Sequence, residues 1–128
     1  MKIFNPETLA APRGYNHGIV ASGNLLFVAG QIGWDKDGNV ADGLVNQFEQ
    51  ALRNILAVVQ DAGGKAENIG RLTIFIKDKQ DYLNRRKEIG LRYKATMGKH
   101  FPAMSLLVVK DLLEEKALVE IEATAVLP

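Results

Sequence analysis

"GLVNQFEQALRNILAVVQDAGGKAENIGRLTIFIK", residues 43–77, changes its hydrophobic period partway along, and that change decides the fold. From Gly43 to about Ala62 the residues Leu44, Val45, Phe48, Leu52, Ile55, Leu56 and Val59 recur at three- and four-residue steps, which places them along one helical face. Gly63-Gly64 supplies the stop. In "RLTIFIK" the period falls to two: Leu72, Ile74 and Ile76 alternate with Thr73, Phe75 and Lys77. Strict alternation of β-branched and aromatic residues reads as a strand. A helix and a strand with one apolar face each can bury both by packing as two layers.

Downstream, a second helix is expected from about Gln80 to Met97, with Tyr82, Leu83, Ile89, Leu91 and Tyr93 on its apolar side and basic residues opposite. Gly98 and Pro102 close it. Two strands follow, "MSLLVVK" (104–110) and "ALVEIEATAV" (117–126), separated by the polar "DLLEEK". In the last strand Val119, Ile121, Ala123 and Ala125 alternate with Leu118, Glu120, Glu122, Thr124 and Val126, so both carboxylates share a face. Upstream, "GIVASGNLLFVAG" (18–30) reads as a hairpin of two short strands around Ser22-Gly23-Asn24. "WDKDGNVADG" (34–43) is loop chemistry, and its likeness to a calcium loop fails because Gly38 is misplaced and Asn46 stands where the closing glutamate belongs. The order is ββαβαββ, an α+β sheet-and-helix layer in a single domain over residues 1–128, with no internal repeat.

Composition narrows the function. The chain is 47% hydrophobic and 24% charged, as ordinary globular proteins are, and its 16 basic and 15 acidic residues leave a net charge of +1. No global field favours nucleic acid or an anionic membrane. The absence of cysteine removes disulfides, thiolate catalysis and Cys-ligated metal together. The N-terminus "MKIFNPETLAAPRGYNHG" has no long apolar run and is broken at Pro6 and Pro12, so neither a signal peptide nor a membrane span is expected and the cytoplasm is the default location.

The segments "RGYNHG", "NLLFVAGQIG", "FEQALRNILAVVQDAGG", "RLTIFIKD", "FPAMS" and "VEIEATAV", in this order and spacing, resemble the RidA (YjgF/YER057c/UK114) family over nearly the whole chain. The resemblance implies a chorismate-mutase-like α+β fold assembled as a homotrimer, with two helices on one face of the sheet and small-molecule clefts at the subunit interfaces. It implies hydrolysis of reactive enamines and imines, such as 2-aminoacrylate, to a keto acid and ammonia, with neither metal nor cofactor.

Position by position, the resemblance puts Tyr15 on the family's pocket tyrosine, Gly30, Gln31 and Ile32 on its strand-end "GQI", and Glu120 on its water-handling glutamate. Glu122 is the register alternative. Where the family carries an arginine that grips the substrate carboxylate, this chain has Met104; where it has a hydroxyl residue before "GQ", this chain has Ala29. The family's polar position in the second helix falls on Arg86 or Lys87. A carboxylate buried without a cation is poorly held, because a hydrogen bond to a charged group contributes about 1.5–3 kcal/mol. Either Arg13, His17, Arg86 or Lys87 replaces the clamp, or the ligand has no carboxylate there. A non-catalytic binding trimer is the alternative reading. "NRRKEIGLRYK", with Arg85 and Arg92 seven residues apart, would carry an RNA-acting function, but without a stacking platform it reads as a solvated face.

Overall fold

The computed structural model describes residues 1–128. Its elements are β1 (Lys2–Phe4), β2 (Gly18–Val20), β3 (Asn24–Ile32), α1 (Gly43–Asp61), a short 3-10 turn (Ala66–Asn68), β4 (Ile69–Ile76), α2 (Lys79–Met97), β5 (Ala103–Val108) and β6 (Val119–Leu127). The main sheet has the order β3-β6-β4-β5. Strand β6 runs antiparallel to both neighbours, whereas β4 and β5 are parallel, joined by the crossover that α2 provides.

Both helices cover one face of this sheet. Leu72, Ile74 and Ile76 of β4 and Val119, Ile121, Ala123 and Ala125 of β6 point into the layer, where they meet Leu44, Phe48, Leu52, Ile55 and Val59 of α1. The expected alternations in β4 and β6 are both present. Helix α1 also buries Gln47, 3% exposed, which the hydrophobic pattern did not single out. Its amide donates to the Lys116 carbonyl at 3.1 Å and its Oε1 accepts the Leu118 N–H at 2.7 Å, pinning the chain as it enters β6.

Two expectations are corrected. The hairpin at Ser22-Gly23-Asn24 is absent: β2 pairs with β1, and β3 pairs with β6. Nine-residue β6 offers β3 a far longer ladder than three-residue β2, and sets Ala125 and Ala123 beside Leu26 and Val28. Gly23, at φ +149°, lies so close to the Leu127 carbonyl that a Cβ would overlap it, so the turn delivers β3 to β6. The inward stripe of α2 also differs from the one expected. Leu91 is 63% exposed and Leu83 also faces outward, while Ile89, Tyr93 and Met97 are buried and Tyr82 packs against them. The spacing 82, 89, 93, 97 holds one face, which positions 83 and 91 leave.

Candidate functional site

A cavity of about 570 Å³ opens between α2, strand β5 and the loop carrying residues 13–15. The local sequence explains how that loop reaches it. Gly14 takes φ +75°, a turn that side chains resist, and Asn16 then ties the loop down. The Asn16 amide donates to the Phe101 carbonyl at 2.6 Å, its backbone N–H donates to the Pro102 carbonyl at 3.2 Å, and its Oδ1 accepts from Asn5 at 2.8 Å. Tyr15 is thereby held over the "FPAM" segment. Asn16, adjacent to an aromatic in a glycine loop, carries no periodic signal and was not anticipated.

Met104 stands opposite Leu72 in the parallel β4–β5 register, so its side chain faces the helices, packs partly on the core and lines the cavity. Phe48, Ile74 and Ile89 form the floor. Tyr82, Tyr93 and Phe101 form an aromatic wall, in which Tyr93 and Phe101 stack with centroids 5.2 Å apart. The Tyr93 hydroxyl donates to the His100 carbonyl at 2.7 Å, and burial pushes its ionisation upward. His100 in turn places Nε2 2.7 Å from the Ile69 carbonyl, a structural role.

The rim is cationic. Arg13, Arg86 and Lys94 border the cavity and no carboxylate does. Of the two α2 candidates, Arg86 lines the cavity and Lys87 does not. Burial raises the Tyr82 phenol above its ordinary value, and the Arg86 charge acting on it opposes that rise. Elsewhere on α2 the arginines are paired: Arg85 with Asp81 at 2.7 Å and Arg92 with Glu49 at 3.1 Å. Arg13, Arg86 and Lys94 form no ion pair.

The remaining candidate residues lie elsewhere in the protomer. Glu120 stands opposite Phe75 on the sheet face that carries no helix, and Gly30 approaches it so closely that a Cβ on residue 30 would overlap the carboxylate. Glu122 shares that face, opposite Thr73. Gln31 is half-buried; Ile32 is buried and its carbonyl accepts from Asn54 at 3.1 Å. Ala29 is exposed. His17 contacts Tyr15 edge-on at 5.2 Å, holds Nε2 2.8 Å from the Ala10 carbonyl, and borders a second hollow with Arg71 and Thr124. Tyr15, Arg86 and Met104 are thus brought together on the helix side, and Gly30 and Glu120 on the other.

The fold agrees with what the chain is similar to. The family model described as Endoribonuclease L-PSP matches residues 6–127. A RutC family protein of Synechocystis is 38% identical, covering 100% of this chain and 98% of its own length. The 2-iminobutanoate/2-iminopropanoate deaminase of Salmonella typhimurium is 36% identical over 81% of this chain and 80% of the relative. Among solved structures, a Rid-family protein of unknown function from Yersinia pestis superposes with a TM-score of 0.87 at 31% identity, over 98% of both chains. By sequence, family model and fold alike, this chain belongs to the RidA (YjgF/YER057c/UK114) family.

Proposed function

We propose that the protein is a small-molecule hydrolase that deaminates a reactive enamine or imine at clefts between the subunits of a homotrimer. The observation that carries this reading is the separation of the site within one protomer. Tyr15, Arg86 and Met104 line the cavity on the helix side, whereas Glu120 sits with Gly30 on the bare sheet face. A site holding both sets requires a neighbouring copy to lay its bare face beside the cavity. That face suits burial: Phe27 is 75% exposed, and Leu25 and Leu107 are exposed on the same side.

In such a cleft Glu120 holds a water and takes up its proton as the oxygen attacks the imine carbon. The carbon–oxygen bond forms and Glu120 returns that proton to nitrogen; the adduct's hydroxyl then gives its proton to nitrogen as the carbonyl forms and the carbon–nitrogen bond breaks, leaving a keto acid and ammonia. Tyr15 and Gln31 orient the ligand, and the gain comes from positioning. The deaminase activity in the name of the Salmonella relative supports this class of reaction. The paired state of Arg85 and Arg92 supports reading the outer face of α2 as solvated rather than RNA-binding.

The test is hydrolysis of freshly generated 2-aminoacrylate and 2-iminobutanoate. Wild type is expected to accelerate ammonia release above buffer and Glu120→Ala to lose that acceleration. Silence of both wild type and Met104→Arg would remove the hydrolase reading and leave a binding trimer.

A further inference from the structure

We infer that the cavity selects an organic carboxylate with an apolar body larger than methyl, and that Arg86, assisted by Arg13, holds the carboxylate in place of a cation at position 104. This rests on the cavity being the ligand site proposed above, and it names that ligand's class. Three observations carry it. First, within one protomer Arg13, Arg86 and Lys94 have no carboxylate partner and line a cavity that no acid lines; against the single Glu120 that a neighbouring copy would bring, three cations still leave a net positive site that attracts an anion. Second, nine of the fourteen lining residues are hydrophobic, which suits an organic body rather than a free inorganic ion.

The third observation is Gly90. It lies inside α2, four residues from both Arg86 and Lys94, on the cavity wall. Glycine weakens a helix interior, yet a Cβ there would meet no atom within 4 Å, so packing within the protomer does not require it. The glycine preserves open space between two cations. Met104 then supplies a neutral, polarisable surface for the ligand's chain.

Calorimetric titration of the full chain with 4-methyl-2-oxopentanoate, its uncharged amide and pyruvate tests this without relying on turnover. The branched acid should bind about tenfold or more tightly than either its amide or pyruvate. Arg86→Gln should remove the preference for acid over amide, and Arg13→Gln should do so to a smaller degree. Gly90→Leu should abolish the preference for the branched acid over pyruvate, and Gly90→Ala should raise the melting temperature by a few degrees, as relief of a helix glycine with free space does. Equal binding of acid and amide, no binding of either, or wild-type discrimination in Arg86→Gln would overturn the assignment. Binding as described without imine hydrolysis would reject the hydrolase reading and keep this one. Hydrolysis whose KM ignores Arg86→Gln would do the reverse.

Discussion

At the scale of single residues, Met104 serves the core and the cavity at once. It fills its strand position as any half-buried apolar residue could, opposite Leu72, and it gives the cavity a neutral surface. Cations at the rim of the same cavity come instead from α2 and from the 13–15 loop. Glu120 is the residue to test for the water step: Glu120→Gln keeps size and hydrogen bonding but not basicity, and should lower the rate of imine hydrolysis by about 10²-fold or more with the melting temperature unchanged. Gln47 is its structural counterpart. Gln47→Leu leaves the Leu118 N–H and Lys116 carbonyl without their partner and should destabilise the fold by about 1–3 kcal/mol in urea unfolding.

Among the elements, β6 matters most to the sheet, because it is last in the chain and lies between β3 and β4. Neither neighbour completes its ladder until the C-terminal strand arrives, so Ile121→Ala, which opens a cavity against both, should cost about 2–5 kcal/mol by chemical denaturation. The loop before α1 gives a pH-dependent counterpart. The Asp35 carboxylate accepts the Asn39 and Asp37 N–H groups at 2.9 Å each, and the hydrogen bond from the Asn39 backbone is the main reason its ionisation falls below the ordinary aspartate value. With the folded value depressed, the loop's contribution is present above the unfolded value and is lost as pH falls through the folded one. Amide exchange at Asp37 and Asn39, measured relative to Asp35→Asn, should therefore show protection at neutral pH that fades in acid.

For the whole molecule, one sheet face is covered by helices and the other carries Leu25, Phe27, Phe75 and Leu107 as well as Glu120. Association of three chains would bury these residues and bring Glu120 to a neighbour's cavity. Sedimentation should show a trimer for wild type, and Phe27→Glu should shift it to smaller species and abolish imine hydrolysis together, while the monomer keeps its far-UV circular dichroism. Loss of assembly without loss of hydrolysis would place the whole reaction inside one chain. No helix is long and apolar enough to cross a membrane.

What the sequence determined by itself was the set of elements and their buried faces. The periods of 3.6 and 2 are local, and residues 43–77 display both, so α1, β4, α2 and β6 were placed nearly to their ends. It also carried the family resemblance. The tertiary structure decided which strands pair: Ser22-Gly23-Asn24 has hairpin chemistry, but ladder length favours β6, a hundred residues away in sequence, over β2. It decided which face of α2 turns inward, because Leu83 and Leu91 are as apolar as Ile89 and only packing against the sheet distinguishes them. It showed that Arg86 rather than Lys87 borders the cavity, that Asn16 fastens Tyr15 above Met104, and that Glu120 faces away from both. Each of these depends on contacts between residues distant in the chain, and a linear pattern records what a residue is before it records what it meets.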